Sequence, residues 1–391
     1  MCFSIAGPQN PNQLALDFGV DINLDEYERI FQARANGYKL SVTGAMESPF
    51  LTTKNPQGFR IQQSIHKHYQ NLQQDLKDKI SGYEEQISDL ERKLAKRETK
   101  TNRNSLEAKQ RQIVRFRDRL ANAQADKSKL DERYFPRHYI SAIVNDGERL
   151  SIMPVRYGIF RQTGSLIIDI FDDHDSGYGL YNCRRESLTT PRFMHVQQQL
   201  AQRRQQFIST HKKWLADLWG TNKLTRGQQN KRDQVERFLA EMQLTESDLE
   251  PCYPAQQSVW EPSIKQHHAI IVADHFFENV KLNDFEQRPL NTKEPAQNIQ
   301  LMFSPEPHQP MYFPCLFHRA HFGNGQFLQG VAAITDQPNP EVAAKGHNRT
   351  PITLTKEAAI NFLTTSFDNS EAMQQVLDQK QPFFFRGLKA A

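Results

Sequence analysis

Hydrophobic residues recur with a helical period over two consecutive stretches in the first third of the chain. From Ile61 to Leu94 they fall at steps of three and four, with charged and amide residues between them. After a polar break at residues 100–104, a second seam runs from Leu106 to Leu130. Sustained seams of this kind are typical of helices that pack along their length. We therefore predict an antiparallel helical hairpin, on the order of 50 Å long at about 1.5 Å per residue.

Strand-like patterns dominate much of the remaining chain. Short apolar runs rich in Val, Ile and aromatic residues alternate with polar turns. The sequence Asn145-Asp146-Gly147 lies between two such runs and is a hairpin signal. We predict strands at residues 38–42, 138–144, 150–153, 268–273, 311–317, 327–335 and 352–354.

Helical signals also occur outside the hairpin. Residues 24–35 predict a helix with two acidic residues in its first turn, where negative charge suits the helix dipole. Another helix is expected to begin near Lys356, with Thr355 as its N-cap. A Gln-, Arg- and Lys-rich stretch over residues 196–249 predicts a second helical insertion. Residues 181–193 show neither period and are expected to form a polar loop, which is either solvated or holds a phosphate.

These elements together predict an α+β fold with a mixed, largely antiparallel β core and two helical insertions. The chain is expected to pass in and out of the core, so that the core is assembled from three separated stretches. The predicted units are a core formed by residues 1–60, 136–195 and 261–391, the hairpin insertion at 61–135 and the second insertion at 196–260.

Composition narrows the functional class only slightly. A net charge of +4 and an isoelectric point of about 8.7 are compatible with a polyanionic partner. The four cysteines are far apart without a Cys-x-x-Cys pair, so we expect neither zinc, nor another metal or cofactor, nor a disulfide framework. No apolar stretch approaches the ~18 residues of a membrane helix. We therefore expect a soluble, cytoplasmic protein without a membrane segment.

The first two residues, Met1-Cys2, are the strongest candidate for chemistry. Removal of Met1 would leave a residue that carries an α-amine and a thiol on adjacent carbons. The amine titrates near pH ~8 and the thiol near ~8.5, so both are readily activated at neutral pH. Such a pair condenses with aldehydes, and the thiol alone attacks acyl carbons. His347 is a candidate proton-transfer partner, and Glu278 is a candidate acid or base placed just past a buried strand, although a purely structural carboxylate fits equally well.

Four short motifs with this chemistry follow one another along the chain: Met1-Cys2, Asn182-x-Arg184-x-Glu186, Ala273-Asp274-x-Phe276-Phe277-Glu278 and His347-x-Arg349-x-Pro351. The ordered set resembles the SOS response-associated peptidase (SRAP) family, which crosslinks to abasic sites in DNA. The corresponding family motifs are Met-Cys-Gly-Arg, Asn-Ala-Arg-x-Glu, Ala-Asp-Gly-Phe/Trp-Tyr/Phe-Glu-Trp and His-Asp-Arg-Met-Pro. The resemblance covers about residues 1–60, 137–195 and 264–375.

The resemblance implies a barrel-like sheet and a thiol autopeptidase that removes Met1 and then forms a thiazolidine with an abasic aldehyde. It assigns Glu278 and His347 to proton transfer, and Asn182 to orienting the Cys2 backbone or the attacked oxygen. The partner is single-stranded DNA that contains abasic sites, and the protein is expected to be DNA-associated. The catalytic positions are Cys2, Asn182, Glu278 and His347. The implied DNA-binding positions are Arg156, Tyr157, Arg184, Arg185, Glu186, Thr335 and Arg349.

The sequence departs from the family pattern around these positions. Phe3 and Ser4 replace Gly and Arg, so the start lacks a basic group that helps to hold DNA. Tyr157 stands where a Trp would stack on a base, a milder change because Tyr also stacks. His275 and Asn279 replace Gly and Trp on either side of the Glu278 motif.

Two other functions fit parts of the sequence. The Met1-Cys2 start is also similar to class II glutamine amidotransferases, whose further recognition motifs we do not find. Alternatively, a diverged SRAP frame serves as a non-catalytic scaffold that binds DNA or a protein partner through the hairpin at 61–130. Survival of Glu278 and His347 beside Cys2 favours the enzyme, since a scaffold has no need for them. The basic residues of the hairpin are interpreted as a solvated or partner-binding face more readily than as phosphate contacts.

Overall fold

In the computed structural model, the chain is described at most positions except its extreme ends and several inner segments. Structural statements below refer to this described part. The described residues are 4–125, 133–159, 181–189, 201–202, 204–209, 211, 216, 225–241, 260, 263–264, 267–290, 294–321, 327–367 and 370–389.

Helices lie on the outside of the described fold, and two of them form one long projection from it. Most begin at a side-chain cap, as at Asn55, Thr99 and Thr355. The α-helices are α1 (Pro11–Phe18), α2 (Leu24–Ala35), α3 (Gly44–Leu51), α4 (Pro56–Lys96), α5 (Lys100–Gln124), α6 (Arg226–Glu241), α7 (Leu282–Phe285), α8 (Pro340–Ala343), α9 (Lys356–Thr364) and α10 (Ser370–Leu377).

Strands form two sheets. Their bounds follow the apolar runs of the sequence closely where both faces of the strand are buried. The strands are β1 (Ser4–Ala6), β2 (Asp21–Ile22), β3 (Arg133–Tyr134), β4 (Tyr139–Asn145), β5 (Leu150–Tyr157), β6 (Asn182–Arg184), β7 (His268–Ala273), β8 (His275–Lys281), β9 (Asn298–Glu306), β10 (Met311–His321), β11 (Phe327–Asp336), β12 (Thr350–Pro351) and β13 (Phe384–Lys389).

The larger sheet closes on itself into a small barrel. Its strands follow the order β11-β10-β7-β4-β5, and β5 pairs back with β11 in parallel. The β4–β5 hairpin pairs Asn145 with Leu150, as the Asn-Asp-Gly signal predicted. Three short strands, β2, β6 and β12, extend this barrel. The α+β prediction with a mixed, barrel-like core is therefore confirmed.

The smaller sheet is antiparallel and has the order β13-β9-β8-β1-β3. Its inner face, with Phe276 and Phe303, shares one hydrophobic core with barrel residues such as Val155 and Val331. Side chains of β4 alternate between this core and a second one, because successive residues of a strand point to opposite faces. The second core lies between the barrel and the outer helices, where Ile143 belongs to the same cluster as residues of α2 and α9.

The predicted hairpin is present and projects from the second core. α4 has 41 residues and is therefore about 60 Å long at 1.5 Å per residue. Its first turns, with Ile61 and Ile65, belong to the core beside α2. Farther out, α5 returns antiparallel to α4, with the Tyr83 and Phe116 rings 5.5 Å apart.

The predicted position of the break between the two helices was wrong. The chain reverses at residues 97–99, and residues 100–104 already belong to α5. The physical reason is a cap: the Thr99 side chain accepts a hydrogen bond from the Asn102 backbone N–H at 3.3 Å. Leu130, the last position of the predicted seam, lies outside the described residues.

Three further local predictions need correction. Residues 38–42 form a single bridge from Val42 to Tyr139 and no strand, because Thr43 already caps α3. Residues 352–354 likewise provide only the bridges of Leu354, and the paired strand lies just before them at β12. The predicted loop at 181–193 begins with strand β6, which pairs in parallel with β11, and continues as a 3-10 helix at Arg185–Leu188.

The predicted helices at 24–35 and from Lys356 are confirmed as α2 and α9, and the Thr355 cap accepts the Ala358 N–H at 3.1 Å. Within the second predicted insertion, the described residues at 201–202 and 204–209 are helical, as is α6. The division of the chain into a core and two insertions stays a prediction. Among the described residues, no helix is both long and apolar enough to span a membrane.

Buried His268 is expected to make stability depend on pH. Its ring is 2% exposed between Phe362 and Phe367, and Nε2 lies 2.8 Å from the Ile264 carbonyl oxygen. Burial lowers the pKa of His268 to about 4. The unfolded chain takes up the proton near its ordinary pKa of about 6.5, so unfolding becomes easier as pH falls from 6.5 towards 4.

The test compares urea unfolding of the wild type and His268→Gln at neutral pH and near pH 4.5. Gln can still donate to the Ile264 carbonyl but does not titrate. We expect the wild type to lose about 2 kcal/mol more than the variant on acidification. An identical loss in both proteins contradicts the assignment of a neutral buried ring.

Candidate functional site

Glu278 lies inside a strand. This corrects the expectation that it follows the end of one. Its strand β8 runs directly after β7, and Glu278 pairs with Leu301 on β9. By strand alternation its side chain shares a face with Phe276 and Val280, which belong to the inner core. The residue is 1% exposed, so a carboxyl group stands at the border of an apolar layer.

His347 meets this carboxyl group from the loop that follows α8. Gly346 turns the chain with φ +85°, and a Cβ there would lie 2.8 Å from the Asp284 Cβ, so the turn requires glycine. The His347 Nε2 atom lies 3.2 Å from Glu278 Oε2, and the side chain is only 10% exposed. The structure therefore brings together two of the four predicted catalytic residues.

The hydrogen-bond partners define where protons sit in this pair. His347 Nδ1 lies 2.8 Å from the Arg349 carbonyl oxygen, which can only accept, so Nδ1 carries a hydrogen. In a neutral ring Nε2 is then an acceptor and faces Glu278. Their contact is a hydrogen bond only when a further proton lies between Nε2 and Oε2. The geometry of Glu278 and His347 is therefore suited to holding one transferable proton.

Burial sets the charge of the imidazole. Desolvation lowers the pKa of His347 to about 4, although the hydrogen bond to the Arg349 carbonyl acts in the opposite direction. The ring is therefore neutral near pH 7. A carboxyl group beside a neutral imidazole places a potential acid and a potential base in one contact.

Arg349 anchors the loop that carries His347. Its Nη1 and Nη2 atoms each donate to one oxygen of Glu186 at 2.8 Å, and Nη2 also donates to the Thr335 carbonyl at 2.8 Å. Arg349 is 5% exposed and Thr335 is fully buried. Burial alone would raise the pKa of the Glu186 carboxyl group, but the bidentate contact with Arg349 holds it below its ordinary value.

Asn182 is positioned by the barrel. It lies on β6 opposite Ala333 of β11, is 9% exposed, and its Oδ1 accepts a hydrogen bond from the Tyr157 hydroxyl at 3.4 Å. Glu186 follows four residues later and contacts Arg349, which links this segment to the His347 loop.

The predicted DNA-binding residues differ widely in exposure. Arg184 is exposed at the end of β6, whereas Arg156 is 6% exposed and Tyr157 is fully buried. Arg185 holds α10 in place through Asp378 at 2.6 Å and also contacts Asp336 at 3.3 Å. Each of these roles in DNA binding stays a prediction. Cys2 lies outside the described residues.

Sequence reasoning missed one basic residue at the amino-terminal strand. Arg133 of β3 donates from Nε and Nη2 to Ser4 Oγ at 2.9 and 2.7 Å, and its guanidinium lies 3.6 Å from the centre of the Phe277 ring. A basic group therefore does occupy the neighbourhood of Ser4, although another strand supplies it. By alternation it lies on the sheet face opposite Glu278. No local sequence signal marks it, since β3 is only two residues long.

The described residues contain no group of three or more His, Cys, Asp or Glu side chains close enough to hold a metal ion. Cys183 and Cys315 are buried free thiols. Desolvation raises the pKa of the Cys183 thiol well above its ordinary value, so it is a poor nucleophile.

Residues 253–386 match the family model described as SOS response associated peptidase (SRAP). The resemblance drawn from the motifs is therefore confirmed over the last third of the chain. The matched stretch includes Glu278, His347 and Arg349. The family assignment is consistent with a peptidase-like or crosslinking enzyme and with an association with DNA.

Solved structures give a more distant likeness. A protein from Bacteroides thetaiotaomicron is 12% identical and aligns over 68% of this chain and 81% of its own, with a TM-score of 0.37. A phage-related protein from Bordetella bronchiseptica is 12% identical over 67% of this chain and 83% of its own, with a TM-score of 0.35. These scores are too low to carry an argument. No curated protein matches the chain.

Proposed function

We propose that this protein recognises abasic sites in single-stranded DNA and links to them covalently through Cys2, after removing its own Met1. The buried contact between Glu278 and His347 is the observation that carries the proposal. A buried carboxyl group and an imidazole that lie 3.2 Å apart are suited to proton transfer. A scaffold gains nothing from burying such a pair.

The covalent connectivity of the chain allows Cys2 to meet this pair. In strand β1, Ser4 pairs with Phe277, the neighbour of Glu278 on β8. Two residues of extended chain span at most about 7 Å. Cys2 is only two residues before Ser4, and this short sequence distance supports the proposal that Cys2 reaches the Glu278–His347 pair.

The proposed reaction conserves atoms without any cofactor. Hydrolysis of the Met1–Cys2 bond first frees the α-amine. The amine then attacks the aldehyde carbon of the opened abasic sugar, and the aldehyde oxygen leaves as water, which gives an imine. Finally the thiol adds to the imine carbon while its proton passes to nitrogen, and a five-membered thiazolidine closes.

The residues of the site have distinct tasks in this scheme. Glu278 donates the proton that turns the leaving oxygen into water, and neutral His347 accepts a proton from the sugar hydroxyl during ring opening. Asn182, whose Oδ1 accepts a hydrogen bond from the Tyr157 hydroxyl, orients the attacked oxygen or the Cys2 backbone.

In this proposal, the predicted DNA-binding residues have different roles, because some are exposed and others make contacts inside the protein. Arg184 is exposed and is the best-placed phosphate ligand of the predicted set. Arg349, Glu186 and Thr335 act as positioning residues, because their polar groups are used to hold the His347 loop. Tyr157 supports Asn182 from inside the core. Single-stranded DNA is favoured since its abasic aldehyde is reached without unpairing.

The proposal is tested with purified protein whose amino-terminal Cys2 has been confirmed by mass spectrometry. The protein is incubated with labelled single-stranded DNA that carries one abasic site, and the products are separated on a denaturing gel. We expect a shifted band that survives heating in detergent. The band should be absent with intact DNA and with DNA whose aldehyde has been reduced to an alcohol. A mature protein that gives no band on abasic DNA favours the scaffold interpretation instead.

A further inference from the structure

The net positive charge of the chain is concentrated on α5, one helix of the hairpin. α5 contains seven Lys and Arg residues against Glu107 and Asp118, a net of five positive charges. The whole chain has a net charge of +4, so the remainder of the sequence is close to neutral. A helix that carries the entire net charge and projects from the core presents a distinct electrostatic surface.

The basic residues of α5 are arranged by face. Ile113, Phe116 and Ala123 are buried on the side that packs against α4. On the exposed surface of α5, Arg111, Arg115 and Arg119 follow one another at intervals of four residues. At 1.5 Å per residue, successive guanidinium groups start about 6 Å apart along the helix axis. We call these three residues the arginine row.

The arginine row is poorly neutralised within the chain. Arg111 Nη1 lies 3.8 Å from Glu107 Oε2, a loose contact between exposed side chains. Among the described residues, Arg115 and Arg119 form neither a hydrogen bond nor an ion pair. Two like charges one helical turn apart repel each other, so the row costs stability unless something else binds it.

The partner helix α4 shows that this arrangement is not a property of the hairpin as a whole. α4 carries seven Lys and Arg residues and six Asp and Glu residues, a net of one positive charge over 41 residues. Its exposed charges pair along the helix, as in Lys79–Asp75 and Lys93–Asp89, both at 2.6 Å. One helix of the hairpin is thus internally balanced and the other is not.

We propose that the arginine row binds the phosphate backbone of DNA, so that the hairpin is a second, sequence-independent contact beyond the Cys2 site. The choice of DNA over another polyanion rests on the proposed function. Guanidinium groups at regular spacing on a straight helix match a regularly charged backbone and carry no base readout. Binding by the row releases counterions and is therefore weakened by salt.

The test measures noncovalent binding of undamaged DNA by fluorescence anisotropy, so it does not depend on Cys2 chemistry. The row variant is Arg115→Gln with Arg119→Gln. The matched control is Lys79→Gln with Lys93→Gln, which removes the same charge from the balanced helix of the same hairpin. Gln has a helix propensity close to those of Arg and Lys, so both variants should keep the hairpin, which circular dichroism verifies.

We expect the row variant to bind roughly tenfold more weakly at physiological salt and to lower the slope of log affinity against log salt by about 2. The control should stay within about twofold of the wild type. Equal affinity and slope for the row variant and the control would overturn the proposal. If undamaged DNA binds through the row but abasic DNA is never crosslinked, the proposed function fails while this inference stands.

Discussion

Replacement of Cys2 by alanine is expected to abolish the crosslink to abasic DNA, with no shifted band on a denaturing gel. The variant keeps an α-amine after loss of Met1, so it can still form a reversible imine. It lacks the thiol that closes the ring, and a simple imine hydrolyses during denaturation. The expected loss is therefore of the stable product and not of the encounter with DNA.

Borohydride separates these two steps. Reduction during the incubation should trap the imine of Cys2→Ala as a shifted band, provided that Met1 has been removed. Cys252→Ala is the matched control, because it also removes one thiol, and it should crosslink as the wild type does. A heat-stable band from Cys2→Ala without borohydride would show that another residue forms the bond.

The sequence predicted long helices, and strands buried on both faces, well because their hydrophobic pattern extends over many residues. α2 and β7 occupy the predicted positions, and the antiparallel hairpin emerged from its seam alone. Position errors arose where one polar side chain decides a boundary. The Thr99 cap moved the turn of the hairpin, and the Thr43 cap ended the segment that had been predicted as a strand.

The candidate site was less predictable because it is built by long-range pairing. The motifs named Glu278 and His347, but only the structure shows that His347 Nε2 and Glu278 Oε2 lie 3.2 Å apart. Arg349 was expected at a phosphate, whereas its guanidinium is occupied by Glu186 and Thr335. Arg133 could not be found from the sequence, since its contact with Ser4 joins residues that are 129 positions apart.

The side-chain contacts of Ser4 and His275 show what these two departures from the family pattern do in the structure. Ser4 lacks the basic side chain of the family, yet its hydroxyl receives Arg133 from the neighbouring strand. His275, which replaces a glycine, has its Nδ1 2.7 Å from Ser304 Oγ on β9 and so forms part of the small sheet. Ser4 and His275 are therefore integrated into the sheet that carries Glu278, and the Glu278–His347 contact is present in the same structure.

Glu278→Gln is expected to slow crosslinking on the order of 100- to 10,000-fold, the usual contribution of a positioned acid or base. The amide is nearly isosteric and can still donate to His347 Nε2, so the buried contact is kept while the transferable proton is lost. The rate is measured from single-turnover gels, and urea unfolding checks that stability is close to that of the wild type. Glu286→Gln, an exposed carboxylate-to-amide change, is the matched control and should have no effect.

The double variant distinguishes a shared proton from two separate functions. If Glu278 and His347 hold one proton as a unit, His347→Gln should slow the reaction about as much as Glu278→Gln. The pair of substitutions should then cost little more than either alone, as for other residues that act together. Independent, multiplicative losses would contradict a shared proton. A wild-type rate for Glu278→Gln would instead assign the carboxyl group a structural role and remove the main support for catalysis at this site.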